Sequence, residues 1–188
     1  TMPWQRGLSY VNAIEVWCRS WNGVPPLALE NLAKEYGLRD KNGKLVYSIA
    51  LAASTPRLSA NGQAELFWDI EMNRGLKAAP IGGSLSSSPK VPIGEPVTYV
   101  YAENKSVAAI LDGLLRGRTY VAKTPSGPQV YFQGDVLANG TVDVNVSGVV
   151  PVGAETDFIV NVVGAKGKKV ELLENGRPAV TKIIDGDN

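Results

Sequence analysis

Histidine is absent from the 188 residues, and cysteine occurs once, at Cys18. Without an imidazole the chain has no Ser-His or Cys-His nucleophile pair, no general base of ordinary histidine pKa and no histidine-built zinc site. A lone cysteine closes no internal disulfide and lacks a second thiolate for a metal pair. Of the common catalytic chemistries, only those of carboxylate, lysine or tyrosine remain. Excess charge is also missing: 19 Lys and Arg stand against 18 Asp and Glu, a formal net charge of +1. A nucleic-acid partner demands a basic surface, so none is expected. No apolar run approaches the roughly 20 residues of a membrane helix, so no membrane partner is expected either. The opening residues Thr1-Met2-Pro3-Trp4 show no charged n-region and apolar h-region, and no signal peptide is visible.

What is present is an ordinary globular composition, with 44% hydrophobic and 20% charged residues, enough for one medium domain or one domain with a small appendage. Asn12 to Cys18 reads as a short buried strand. Pro26 opens a helix through Leu29, Leu32 and Tyr36 that stops at Gly37, and 45–53 is an apolar segment open to either strand or helix. Ser59 opens a second helix, with Ala64, Phe67, Trp68 and Met72 on one face and Gly75 as terminator. Leu76 to Ile81 is then a strand leading into a small-residue loop, Gly82-Gly83-Ser84-Leu85-Ser86-Ser87-Ser88. Val97 to Ala102 and Thr119 to Lys123 are strands. Between them Ser106 caps a helix whose Val107, Ile110, Leu111, Leu114 and Leu115 form one stripe ending before Gly117. From Thr124 to Ala165 the chain has no Lys or Arg, and short Val-rich strands separated by turn signals continue to Ile184.

The order of Ala13-Ile14-Glu15-Val16-Trp17, Phe67-Trp68-Asp69, Ile81-Gly82-Gly83-Ser84, Ile93-Gly94-Glu95-Pro96-Val97-Thr98-Tyr99-Val100-Tyr101-Ala102 and Gly117-Arg118-Thr119-Tyr120-Val121 resembles the C-terminal half of a PHP-domain (polymerase and histidinol phosphatase) hydrolase. The resemblance covers about residues 10–135. It implies an α/β fold: a partial or distorted β/α barrel, PHP or TIM-like, over residues 1–135, followed by a small antiparallel β appendage over 136–188. It also implies descent from metal-dependent phosphoesterases. In that family the loop runs Gly-Gly-Ser-Asp-x-His, and its Asp and His bind metal; the matching positions here are Leu85 and Ser87. The family's His-x-His motif would lie upstream of the matched region.

Several residues stand out as candidates. Glu15 is a vestigial-site candidate for which a structural or hydrogen-bonded role is favoured, because no partner is recognisable in the sequence. Asp69 and Glu71, two apart on a helix, read as a solvated face, and Cys18 as a buried inert thiol. Trp4, Trp17, Trp21 and Trp68 read as core rather than as a sugar-binding groove. The ligand-loop candidate is Gly82, Gly83, Ser84, Ser86, Ser87 and Ser88, where a glycine turn can form an anion nest edged by hydroxyls; an ordinary connector is the reading favoured over it, because no Lys or Arg is adjacent before Lys90. No catalytic or metal-binding residue is expected, and no cofactor, with divalent metals entering only if an upstream segment supplies ligands. The expected function is a divergent, non-catalytic scaffold or binding module. The alternative is the C-terminal part of a hydrolase whose histidines lie upstream. Open sheet edges predict self-association, or association with an upstream segment or partner chain.

Overall fold

Parallel pairing opens the structure: in the computed structural model, which describes residues 9–19, 42, 60–174 and 177–186, β1 (Ala13–Cys18) lies beside β2 (Ala79–Gly83), with Ala13 opposite Ala79 and Cys18 opposite Gly83. A parallel pair requires a crossover, and helix α1 (Ala60–Asn73) lies in it and packs on β1. Phe67 joins Ile14 and Ala78 in a buried cluster, with Trp68, Leu76, Val11 and Val16 against it. The Trp68 indole N–H donates to the Ala78 carbonyl at 2.8 Å, which satisfies the polar end of a ring whose body is packed.

The buried face of α1 is turned from the one expected. Leu66, Phe67 and Ile70 are buried while Met72 is exposed, and Glu71, only 2% exposed, sits inside rather than on a solvated face. Helical spacing predicts which residues share a side of a helix but not which side a neighbour covers. The buried charge is met by Arg74, whose guanidinium donates to the Glu71 carboxylate at 2.8 Å, as a carboxylate removed from water requires. Gly75, at φ +95°, ends the helix.

Strand β3 (Val97–Val100), helix α2 (Val107–Leu115) and β4 (Thr119–Ala122) follow, and β3 pairs antiparallel with β4. The Ser106 hydroxyl caps α2 by accepting the Ala109 N–H at 3.2 Å. The helix approaches β3 at Gly113, where a Cβ would lie 2.6 Å from Val100 Cγ1 and 2.9 Å from the Tyr101 carbonyl oxygen. Its apolar stripe stays largely open: Val107 is 75% and Leu111 51% exposed.

Beyond β4, strand β5 (Gln129–Val136) is flanked by β6 (Val144–Asn145) and β7 (Thr156–Val163), both antiparallel to it, and β8 (Lys169–Glu174) pairs antiparallel with β9 (Arg177–Ile183). The boundary expected between residues 135 and 136 falls within β5.

The partial or distorted β/α barrel expected over residues 1–135 does not form. Among the described residues there are two helices and four small sheets, β1-β2, β3-β4, β6-β5-β7 and β8-β9, of which only the first is parallel, and no barrel closes. A β/α barrel needs parallel strands in one continuous ladder. Here β3 and β4 run antiparallel, and Thr98 and Thr119 meet β2 through their hydroxyls. The segments read as helix 26–37 and as apolar segment 45–53 lie outside the described residues, as do Trp4 and Trp21.

Candidate functional site

The carboxyl ends of β1 and β2 bring together residues that the sequence singled out separately. Glu15 stands opposite Ile81 in the register, and its side chain reaches over Gly83, where a Cβ would sit 2.3 Å from Oε1 and 3.3 Å from Cδ. The carboxylate thus occupies the volume that any side chain at position 83 would fill. At Gly82 a Cβ would lie 2.6 Å from Val121 Cγ1 and 3.3 Å from the Pro96 ring. Both glycines are the last residues of a strand, not members of a turn. The Gly82 N–H donates to Thr98 Oγ1 at 2.8 Å and is therefore turned to the protein rather than offered to an anion.

The loop itself starts at Ser84. Leu85 adopts a left-handed φ of +43° and is 64% exposed. The Ser86 hydroxyl donates to the Val91 carbonyl at 2.8 Å, and the Val91 N–H donates to the Ser88 carbonyl at 3.0 Å, so the serine run folds back on itself. Ser87 and Ser88 are exposed and Ser84 is half-buried. Nearby residues brace this end: the Cys18 N–H donates to Asn61 Oδ1 at 2.9 Å, and Arg19 pairs with Glu95 at 3.2 Å, immediately before the Pro96 that packs on Gly82. Cys18 is buried.

Chemically, the site offers one carboxylate and several hydroxyls. Among the described residues the Glu15 carboxylate has no ion pair and no hydrogen bond. It accepts hydrogen bonds and repels anions, whereas the serines both donate and accept. The residues present do not fit the polynuclear metal centre that the PHP resemblance implies: Leu85 has no donor atom, and Ser87 offers a neutral hydroxyl in place of imidazole. No group of three or more His, Cys, Asp or Glu among the described residues is placed to hold a metal ion.

Two further features were not read from the sequence. The first is a cleft of about 560 Å³ lined by Val16, Trp17, Glu65, Trp68, Thr119 and Tyr120. Beside it, Glu65 and Asp69 stand one helical turn apart on α1, and burial raises both carboxyl pKa values, with Asp69 reaching about 6 through burial and then the charge of Glu65. The second is a tyrosine cluster. Tyr99 stacks on its cross-strand partner Tyr120 at 4.7 Å, Tyr101 lies 5.7 Å from Tyr120, and Tyr131 meets Tyr101 edge-on at 6.3 Å. The Tyr101 hydroxyl donates to the Val130 carbonyl. Burial pushes its phenol up to about 12, with Tyr120 and Tyr131 adding to the shift; Tyr120 is raised as well, by burial and then by Tyr99. The available signal was the alternation Tyr99-Val100-Tyr101, which sends two rings to one face of a strand. Tyr131 needed the tertiary structure. Comparison with family models, with curated proteins and with solved structures found no match to this chain.

Proposed function

We propose that the chain is a divergent relative of the PHP hydrolases that works as a non-catalytic scaffold and binding module, taking a small polyhydroxy ligand at the carboxyl ends of β1 and β2. The observation that carries this reading is the placement of the Glu15 carboxylate over Gly83, at the root of the serine loop. Binding groups in open α/β sheets gather outside the strand carboxyl ends, and an uncommitted carboxylate next to exposed hydroxyls suits a polyol. The same carboxylate disfavours phosphate or sulfate, which a neutral serine loop without an adjacent cation holds only weakly.

The test is a titration of simple sugars, phosphate and sulfate followed by the amide shifts of residues 82–88, with elemental analysis of dialysed protein alongside. Saturable millimolar-class sugar binding, on the order of 4 kcal/mol, is expected, with weaker or no response to the anions. Absence of any saturable shift in the loop would leave it a connector. Retention of stoichiometric zinc or manganese would instead favour the C-terminal part of a metal-dependent hydrolase.

A further inference from the structure

We infer that the cleft between the α2–β4 corner and the β5–β6 sheet is a second binding site, for a sugar carrying a single carboxylate, of the hexuronate type. This does not rest on the strand-end site. The cleft measures about 770 Å³, and its two walls are joined at separate points. The Tyr101 hydroxyl bonds to the Val130 carbonyl, and Ser147 packs on Gly117, where a Cβ would lie 3.0 Å from the serine Oγ.

One wall carries the cations. Arg116 donates through Nε to Asp112 Oδ1 at 2.7 Å, and Arg118 Nη2 lies 3.6 Å from Asp112 Oδ2. Two guanidiniums thus share one carboxylate, and because Arg116 engages it through Nε, its two Nη groups remain for a ligand carboxylate. Lys77 lines the same cleft and has no ion pair among the described residues.

The facing wall carries a ring and amides. Tyr131 and Gln133 alternate along β5 and so share a face. Gln133 stands opposite Asn145 and donates to its Oδ1 at 3.0 Å, leaving the other amide groups of the pair for ligand hydroxyls. Tyr131 is 42% exposed. An exposed ring beside two amides matches a pyranose, which has an apolar C–H face and a rim of hydroxyls.

The acids at the cleft set the ligand's charge. Glu103 and Asp143 also line it, and Asp143 is partly engaged in accepting the Val136 N–H at 2.9 Å. Glu103 lies close enough to act on Arg116, so a ligand anion held there meets an acid as well as the guanidiniums, and a phosphate with two negative charges is repelled about twice as strongly as a monoanion.

The test uses the whole chain and three probes: a galactose trimer in which one residue is galacturonate (the acidic trimer), a neutral galactose trimer and acetate. Side-chain signals of Gln133, Asn145 and the Arg116 Nε–H are followed by NMR. Saturable shifts at these groups with the acidic trimer are expected, at least about tenfold tighter than with the neutral one, and no saturation with acetate. Tyr131→Ala should weaken both sugars about tenfold, Tyr131→Phe should leave them unchanged, and Arg116→Gln should bring the acidic trimer to the affinity of the neutral one. No saturable shift with the acidic trimer, equal affinity for both sugars, or indifference to Tyr131→Ala and Arg116→Gln overturns the inference. Shifts confined to residues 82–88 would overturn it while leaving the strand-end site intact.

Discussion

The Thr98 hydroxyl accepts the Gly82 N–H at 2.8 Å and donates to the Gly82 carbonyl at 3.1 Å. A single side chain thus meets both polar groups of a residue at the end of β2. Thr119 adds a third such bond, from its hydroxyl to the Pro80 carbonyl at 2.8 Å. Through these hydroxyls the antiparallel pair β3-β4 is held against the parallel pair β1-β2 without a shared ladder.

Thr98→Val keeps the shape and removes the hydroxyl, which leaves two backbone groups of Gly82 without their partner. A loss of about 1–3 kcal/mol is expected, and Thr98→Ser should recover most of it. Urea unfolding midpoints of the three proteins decide the matter; equal midpoints for valine and threonine would show that the hydroxyl contributes nothing.

The adjacent glycines should answer differently to alanine. At Gly82 the added methyl would press on Val121 and the Pro96 ring, both held in packed elements, and overpacking of this kind costs about 1–3 kcal/mol. At Gly83 it meets only the end of the flexible Glu15 side chain, which can swing away. Gly83→Ala should therefore unfold close to wild type yet lose the sugar response of the serine loop. Stability losses of equal size at the two positions would contradict this.

Asp69 makes the fold sensitive to pH in a defined direction. Its carboxyl is raised to about 6 by burial and by Glu65, so the folded chain holds the proton more tightly than the unfolded one. That contribution is complete below the ordinary carboxyl value of about 4 and is lost as pH rises through about 6. Asp69→Asn should be more stable than wild type at pH 7, and its advantage should shrink as the pH falls from about 6 to 4. Urea midpoints measured across that range test it, and a difference independent of pH would refute the assignment.

Asp135 organises the turn after β5. It is buried, and its carboxylate accepts the Asn139 N–H at 2.9 Å and the Gly140 N–H at 2.6 Å, across a stretch in which Leu137 and Ala138 both have left-handed φ angles of +76° and +49°. Left-handed backbone is unfavourable for residues with a Cβ, so the turn depends on these bonds. Asp135→Ala should cost about 2–3 kcal/mol and speed amide exchange at Asn139 and Gly140, while Ala138→Gly should stabilise the protein slightly. Unchanged exchange in Asp135→Ala would show that the turn holds itself.

Much of the local structure could be read directly from neighbouring residues. Ser106 and Gly117 bracket α2, Gly75 ends α1, and the strands β4, β7 and β8 fall where short runs rich in apolar residues lie between turn residues. These are short-range effects, in which a hydroxyl caps nearby N–H groups and a glycine accepts a positive φ. The candidate site was legible as two fragments, Glu15 and the 82–88 loop, but their meeting was not, because it depends on the parallel register of β1 and β2.

The sequence by itself determined the chemistry available: no imidazole, one thiol, a near-neutral charge and a serine-rich loop after Gly82-Gly83. It also determined where the helix ends and turns lie, since those are properties of adjacent residues. The tertiary structure alone decided which faces are covered: Glu71 lies inside and the apolar stripe of α2 outside, contrary to what spacing suggests. It also decided against the barrel, by pairing β3 with β4 antiparallel and closing the contact to β2 through threonine hydroxyls. Periodicity sorts residues onto faces, but burial depends on which distant element packs against them, and that information lies in no short stretch of chain.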